Sequence, residues 1–399
     1  MKFIHLSDLH LGIKLHKKDL EEDQRLILQE IINNIVKEAP DAVIIAGDVF
    51  DTTQPQDSAK ELYDWFVSSI YRSGVPLYII NGNHDPVELL NMCSSVLAAS
   101  KVFVASKADA KIYKYTLGSD AYGKCNLYLL PYMRTAYARA STAFSEEEKT
   151  GIQDLNDAVR LVLEHTDIDP SERNILVTHQ FIQGAKVSDD GRRPVGGLIG
   201  IDAKLFEQFD YVALGHLHTA HQAVSDHKRL RYCGTPLAYS FDETAVYDLE
   251  KDAYVGNQRE KSMTVVELGE KGSEPIIRKL PLHPLRQLVQ VKGKLEDILK
   301  EENIAKFASQ QDYFRFILTD KDYQENAQKR LCAHYKHVLN IKYVAIDKSI
   351  DVDFTQLEAE TRLAPIDYLR ALYKESFGEE MPEEEVALAM EILGKEQVD

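Results

Sequence analysis

The sequence predicts an α/β fold divided into more than one domain. From residue 2 to residue 215, short apolar runs alternate with amphipathic helical segments, a pattern typical of a mixed or parallel sheet with helices on its faces. After residue 275, three strand-like and two helical stretches suggest a small α+β domain. The chain has 399 residues, which exceeds one ordinary core, so two or three domains are expected.

The elements behind this fold class follow one another along the chain. Residues 2–7 are predicted as a strand and residues 20–38 as a helix with an apolar stripe, which Pro40 prevents from continuing. Residues 41–46 read as a buried strand, and residues 58–73 as a helix that opens with the capping-box pattern SAKE. Further predicted strands are residues 76–80, 126–131, 174–177, 211–214, 230–233 and 262–268, with another helix at residues 151–165.

Polar side chains follow five of these predicted strands, at the point where each strand ends. Open α/β sheets place their ligands at the carboxyl ends of their strands, so such side chains are candidates for one shared site. Taken alone, the Asp8–His10 cluster could equally be a polar turn, and the GNHD cluster would be assigned to a turn; the five together favour a site. The clusters contain Asp8 and His10, Asp48 and Asp51, Asn83 to Asp85, His179, and His216 with His218.

Asp48 is predicted to be shared between two metal ions. Residues i and i+2 of an extended backbone point to the same side, so Asp8 and His10 can reach one ion together. By the same spacing, His216 and His218 can serve neighbouring ions. The first position would be formed by Asp8, His10, Asp48 and His218, and the second position by Asp48, Asn83, His179 and His216.

The donor types at these positions bear on the metal. Two divalent ions about 4 Å apart can neutralise a phosphoryl group during in-line displacement. Carboxylate, amide and imidazole donors suit Mn²⁺, the expected ion, while Zn²⁺, Fe²⁺ and Mg²⁺ stay open. No cysteine falls in the clusters, so thiolate sites are disfavoured.

His84 lies outside both predicted metal positions and is the candidate proton donor to the leaving oxygen. Asp51 follows Asp48 on the same loop and could orient the His84 imidazole and raise its pKa.

Composition limits the classes of function. The formal net charge of −17 argues against nucleic acid as a partner, although two bound divalent ions would add local positive charge. No stretch approaches a membrane span or a signal peptide. The four cysteines are widely spaced, which fits a reducing cytoplasm.

The segment from residue 184 to residue 200 reads as a glycine-rich surface loop near the mouth of the site. Arg192 and Arg193 within it could contact phosphates. A solvated loop without a partner is the alternative.

The ordered motifs DLH, GDVFD, GNHD, THQ and GHLH resemble the calcineurin-like metallophosphoesterase superfamily. The longer stretches FIHLSDLHLG, AGDVFDTTQP, VGGLIGIDAKLFEQFDYVALGHLH, YCGTPLAYSFDE and KSMTVVEL closely resemble its SbcD family of bacterial nuclease subunits. This resemblance covers about the first two-thirds of the chain, and the remainder matches only in layout. The metal and proton-donor assignments above coincide with those of the family.

The resemblance implies a four-layer α-β-β-α phosphoesterase core at residues 1–272, a small α+β capping, DNA-binding domain at 273–350, and partner-binding helices in the tail at 351–399. It implies a Mn²⁺-dependent 3′→5′ exonuclease for double-stranded DNA that also nicks single strands and hairpins. The implied partner is an SbcC-type coiled-coil ATPase in a two-plus-two assembly, bound by helices at residues 365–393. Relatives dimerise through helices corresponding to residues 58–73 and 86–99. A cytoplasmic, nucleoid-associated protein of DNA repair, recombination and replication would follow.

Two other functions stay open at this point. One is a phosphoesterase for small nucleotides or phosphoesters, which the extra domain disfavours. The other is a scaffold that binds DNA ends without cutting. A non-cutting scaffold would be expected to lack a metal ligand, whereas all seven predicted positions carry competent residue types.

Overall fold

A computed structural model of the chain describes residues 1–107, 109–185, 200–224, 228–256, 260–307 and 311–344, together with residues 370, 373, 381, 382, 385, 386 and 390. The strands in chain order are β1 (Lys2–Leu6), β2 (Lys14–Leu15), β3 (Lys18–Asp19), β4 (Ala42–Ala46), β5 (Leu77–Ile80), β6 (Val102–Ala105), β7 (Tyr113–Asp120), β8 (Gly123–Leu130), β9 (Arg173–His179), β10 (Tyr211–Gly215), β11 (His221–Gln222), β12 (Leu230–Tyr232), β13 (Val246–Asp248), β14 (Ala253–Val255), β15 (Ser262–Glu267), β16 (Ile276–Pro281), β17 (Leu288–Gly293), β18 (Tyr313–Leu318) and β19 (His337–Tyr343).

The helices connect these strands and are mostly short. They are α1 (Glu21–Glu38), α2 (Asp57–Arg72), α3 (Val87–Asn91), α4 (Ser94–Ala99), α5 (Thr135–Ala140), α6 (Glu146–Gly151), α7 (Leu155–Glu164), α8 (Leu295–Ile298), α9 (Glu301–Phe307) and α10 (Ala327–Cys332), with 3-10 turns at Ala203–Phe206 and Phe241–Glu243.

Two six-stranded mixed sheets form the core. The first has the order β16-β15-β1-β4-β5-β6, and the second has the order β11-β12-β10-β9-β8-β7. Strands β1, β4, β5 and β6 run parallel in the first sheet, as do β8, β9, β10 and β12 in the second. The parallel strands of each sheet therefore end along one edge, as the sequence predicts.

The alternation of side chains along each strand explains why the two sheets stack. In β4, Ile44 packs between the two sheets, whereas Val43 and Ile45 pack on the opposite face of the first sheet against the helices. Because both faces are covered, the strand is a continuous apolar run. Helices α1 and α2 cover the first sheet, and α5 and α7 cover the second. The four-layer α-β-β-α core is confirmed.

Helix α2 differs from its prediction at the amino terminus. The capping-box pattern placed Ser58 at the cap, but the helix begins at Asp57 after Gln56, and no side chain caps it. Ser58 therefore lies inside the first turn. Its apolar stripe, which includes Leu62, Phe66 and Ile70, is buried as predicted.

The small sheet does not follow the predicted boundary at residues 272/273. Its order is β14-β13-β17-β18-β19, so two of its strands precede that boundary. Strand β16, which follows the boundary, pairs antiparallel with β15 in the first sheet. The chain crosses between the sheets more than once here.

The chain forms two compact units, residues 1–317 with 326–342, and residues 318–325 with 343–399. In the second unit, Tyr323 and Tyr343 stack at 5.5 Å between ring centroids. Most of the predicted tail, including most of residues 365–393, lies outside the described residues. Within the described part of the chain, no helix is both long and apolar enough to span a membrane.

Candidate metal centre

The five polar clusters converge at the carboxyl ends of β1, β4 and β5 in one sheet and β9 and β10 in the other. Three clusters lie after strands of the first sheet and two after strands of the second. Because the sheets stack face to face, their parallel strand ends meet at one rim. The structure thus brings together all seven predicted ligand residues.

Asp48 lies at the middle of this group. Its Oδ2 is 3.7 Å from Nε2 of His10 and 3.2 Å from Nε2 of His179. His10 belongs to the predicted first position and His179 to the second. One carboxylate oxygen therefore faces both positions, as a bridging ligand must.

The second position is organised around the side-chain oxygen of Asn83. This oxygen is 3.2 Å from Nε2 of His179 and 3.0 Å from Nδ1 of His216. The other ring nitrogen of His179 lies 2.8 Å from the carbonyl oxygen of Ala46, a main-chain acceptor at the end of β4. This contact fixes Nε2 as the nitrogen that faces the site.

The first position brings together Asp8, His10 and His218, whose candidate ligand atoms all lie within 4.8 Å of one another. Asp8 also groups with Asp48 and His179 at the same spacing. Its carboxylate accepts the backbone N–H of His216 at 3.0 Å. Asp8 thus connects the β1 loop to the β10 loop.

The backbone at these ligands is not extended, contrary to the spacing argument from the sequence. Asp8, His10 and Asp48 have φ of 52°, 43° and 50°, and His216 has φ of 103°. Residues other than glycine rarely adopt these values, and strained backbone of this kind clusters at functional sites. The side chains of Asp8 and His10 do converge, but through two left-handed residues rather than through the pleat of a strand.

Glycines permit the close approach of these loops. A Cβ at Gly82 would lie 2.1 Å from Oδ1 of Asp48, and one at Gly47 would lie 2.5 Å from Nδ1 of His179. A Cβ at Gly215 would lie 1.9 Å from the carbonyl oxygen of Ala46. Larger residues at Gly47 or Gly215 would push the two sheets apart at the rim, and one at Gly82 would displace Asp48.

The electrostatics of the site follow from crowded, buried charges. Burial raises the pKa of Asp48, but the imidazoles of His179, His10 and His84 together outweigh burial and hold that pKa well below its usual range. Burial alone would lower the pKa of His179, but Asp48 raises it to about 9. Burial and the neighbouring His179 lower the pKa of His216 to about 3. The Asp48 carboxylate therefore stabilises a positive charge on His179, and that charge in turn disfavours one on His216.

His84 lies beside the centre, with its ring centroid 5.0 Å from that of His10. Its backbone N–H donates to Oδ1 of Asp48 at 2.9 Å, and its Nδ1 is 2.8 Å from the backbone carbonyl oxygen of Asp51. The sequence placed the orienting contact on the Asp51 carboxylate. That carboxylate instead lies 3.2 Å from Nδ1 of His10, so the main chain of Asp51 orients His84.

The residues present fit a pair of divalent cations. Nε2 of His10 is buried, has no hydrogen-bond partner among the described residues, and lies too far from Asp48 for a hydrogen bond. The donors are carboxylate, amide and imidazole, and the four cysteines are free thiols that belong to none of the candidate metal groups in the described chain. This donor set is that of a hard or borderline divalent ion.

Several residues that support the site were given no role from the sequence. Asp85 accepts backbone N–H groups from Phe50 at 2.8 Å and Gly82 at 2.7 Å, joining the Asp48 loop to the Asn83 loop. Glu243 is fully buried and lies 3.9 Å from Nδ1 of His218. The signal for Glu243 was a capping-box pattern beginning at Ser240, which the structure confirms.

Gln24 and Tyr239 form a further support. The side-chain amide of Gln24 donates to the carbonyl oxygens of Leu9 at 3.1 Å and His10 at 2.8 Å. The Tyr239 hydroxyl donates to Leu9 at 2.6 Å. Arg192 and Arg193, the predicted DNA contacts, lie outside the described residues.

Residues 1–220 match the model of the calcineurin-like phosphoesterase family. The chain therefore belongs to that family, whose fold agrees with the architecture described above. Residues 284–377 match a second model, described as the type 5 capsule protein repressor C-terminal domain.

Within the family, the chain falls in the SbcD group. It is 30% identical over 365 residues to the SbcD subunit of the nuclease SbcCD from Staphylococcus saprophyticus, covering 90% of this chain and 89% of that relative. It is 29% identical over 363 residues to the protein of the same name from Staphylococcus epidermidis, covering 90% of each. Among solved structures, a dimetal phosphatase from Danio rerio matches with a TM-score of 0.39 and 14% identity, over 70% of this chain and 98% of that one.

Proposed function

We propose that the protein is a dinuclear-metal DNA phosphodiesterase that acts as the nuclease subunit of a complex with an SbcC-type coiled-coil ATPase. The single observation that carries the chemistry is Oδ2 of Asp48 facing His10 and His179 at once. The substrate and the partner are inferred from the relatives, which are named as nuclease subunits of SbcCD.

Asp8, His10 and His218 would hold one Mn²⁺ with Asp48, and Asn83, His179 and His216 would hold the other with Asp48. Two such ions supply charge neutralisation at a phosphoryl group. The protein supplies the arrangement, since the left-handed backbone of the Asp8 and Asp48 loops aims the carboxylates inward.

His84 would give a proton to the leaving oxygen. The contact between its Nδ1 and the carbonyl oxygen of Asp51 requires a proton on Nδ1, so Nε2 is the nitrogen left to face a substrate. In the imidazolium form Nε2–H can donate to the leaving group, and a neutral His84 cannot.

The proposed substrates are double-stranded ends, degraded 3′→5′ in an ATP-dependent way, and single strands and hairpins, which are nicked. The net charge of −17 predicts weak duplex binding by this chain alone. The partner would supply much of the basic surface, so affinity should rise and become salt-dependent when the partner is added.

The assembly would contain two copies of each subunit. Helices α2, α3 and α4 correspond to the segments expected to pair two copies. Met92 and Val96, on the α3–α4 segment, are 62% and 70% exposed, and an exposed apolar patch of this kind suits a protein interface.

Digestion of a linear duplex labelled at its 3′ ends, with Mn²⁺, ATP and the partner, tests the proposal. We expect release of labelled nucleotides by the wild type. His84→Gln should retain two Mn²⁺ and lose roughly 10²- to 10⁴-fold in turnover. His165→Gln is the matched control, because His165 is a helix-end residue paired with Glu148. Hydrolysis of bis(p-nitrophenyl) phosphate with the duplex left intact would instead support the small-phosphodiester alternative.

A further inference from the structure

Behind His218, at the first position, lies a buried ion pair formed by Glu243 and Lys261. Glu243 is fully buried and the Lys261 side chain is 7% exposed. Buried ion pairs of this kind contribute little net stability compared with apolar residues of similar volume. Their position next to a metal ligand therefore calls for a role other than stability.

Each member of the pair contacts the His218 segment. Glu243 Oε1 lies 3.9 Å from Nδ1 of His218. Lys261 Nζ donates to the backbone carbonyl oxygen of His218 at 3.1 Å and to Thr235 Oγ1 at 2.6 Å. The ion pair therefore contacts both the ring and the main chain of His218.

Glu243 is itself rigidly held. Its Oε1 accepts the backbone N–H groups of Tyr239 and Ser240, each at 3.0 Å, and its other oxygen pairs with Lys261. Tyr239 in turn packs its ring 5.8 Å from that of His10. The carboxylate is thus a fixed negative charge 3.9 Å from the His218 ring, beyond hydrogen-bonding distance, so it acts on the ring electrostatically.

From this geometry we propose that Glu243, held by Lys261, is a positioning residue that orients the His218 imidazole toward the first metal position. Histidine ligands commonly direct their second ring nitrogen to a carboxylate, which fixes the ring and makes it a stronger donor. The Nδ1 of His218 faces Glu243, which leaves Nε2 for the metal. The inference rests on the proposed metal positions.

The test is a titration of the metal-free protein with Mn²⁺. Binding is monitored by EPR of the free ion and by calorimetry. Glu243→Gln should weaken the first position by roughly 10- to 100-fold and leave the second position unchanged. Asn83→Ala identifies which Mn²⁺-binding step in the titration belongs to the second position, because it removes a ligand of the second position alone.

Asp210→Asn is the matched control. Asp210 is buried and pairs with Lys271. It accepts backbone N–H groups from Asn174 at 2.7 Å and Gly272 at 3.0 Å, and it precedes β10 at the end far from His216. The Asp210→Asn variant should have a lower melting temperature and unchanged Mn²⁺ dissociation constants at both positions.

Glu243→Gln leaves Lys261 buried without a charge partner, so the double variant Glu243→Gln/Lys261→Met is measured beside it. Removing both charges avoids the cost of an unpaired buried charge. The same weakening of the first position supports the proposal. Wild-type constants at both positions in either folded variant overturn it, and a wild type that binds no Mn²⁺ would instead overturn the proposed function.

Discussion

The two halves of the candidate metal centre are held in place by different kinds of interaction. At the second position, His179 is fixed by a main-chain carbonyl at the end of β4 and by the close approach of Gly47 and Gly215. At the first position, the supports are side chains, with Glu243 beside His218 and Gln24 behind His10. The second half therefore depends on how the main chains of the two sheets meet, and the first depends on the side chains packed behind it.

Asp48 belongs to both halves, so its substitution should have the largest effect. Asp48→Asn removes the charge that faces His10 and His179, and turnover should fall on the order of 10³-fold, about 4 kcal/mol in activation free energy. Both Mn²⁺ constants should weaken, as measured by titration of the metal-free protein, whereas the Asp210→Asn control should change neither. Two ions retained with wild-type constants would show that Asp48 does not bridge.

A substitution at Gly215 should weaken the second metal position, which depends on main-chain contacts. In Gly215→Ala the new Cβ would lie 1.9 Å from the Ala46 carbonyl oxygen and 2.6 Å from Nδ1 of His179. We expect a loss of about 1–3 kcal/mol in the free energy of unfolding, with the second position weakened more than the first. Denaturant unfolding and Mn²⁺ titration measure these effects.

Gly151→Ala is the control for that substitution, since a Cβ at Gly151 meets nothing within 4 Å. Gly151→Ala should leave the free energy of unfolding and the Mn²⁺ affinities near their wild-type values. Equal weakening of the two positions by Gly215→Ala would contradict the division into two halves.

The release of a proton when Mn²⁺ binds should further distinguish the second position from the first. A ligating histidine must be neutral, and Asp48 raises the pKa of His179 to about 9. His179 is therefore protonated in the metal-free protein near neutral pH, and binding must displace that proton. The apparent affinity of the second position should rise about tenfold for each pH unit up to that pKa.

Calorimetry in buffers of different ionisation enthalpy measures this release directly. His216, whose pKa is lowered to about 3, is already neutral and should contribute no proton. A binding enthalpy for the second position that is independent of the buffer would rule out the linkage to His179.

The smallest expected effect comes from one hydroxyl group that supports the first half. Tyr239→Phe removes the donation to the Leu9 carbonyl oxygen at 2.6 Å and the acceptor for the Gln24 amide at 3.2 Å, and should cost about 1–2 kcal/mol of stability. The first position should weaken a few-fold, and the second should not change. Tyr335→Phe is matched, because that buried hydroxyl also donates to one carbonyl, that of Ile298 at 3.0 Å, but lies on the small-sheet side of the chain.

The layers of the fold could be predicted because each depends on a local pattern. The buried run of β4 and the apolar stripe of α2 both follow from the period of their apolar residues. The prediction that Ser58 caps α2 was wrong. Several nearby residues could begin the helix, and packing of the apolar face of α2 decided among them. The pairing of β16 with β15 across residues 272/273 could not be predicted, because no local pattern specifies which strand is its neighbour.

The sequence by itself determined which side chains form the candidate site, since a carboxylate, amide or imidazole after a parallel strand is placed at one edge of the sheet. Tertiary structure alone decided how those side chains are held. Glu243 reaches His218, and Gln24 reaches His10, only because segments distant along the chain pack together. The left-handed residues Asp8 and His10 likewise donate their backbone N–H groups to Gly47 and Asp48 on another loop, at 2.9 and 3.0 Å, and no local spacing specifies these contacts.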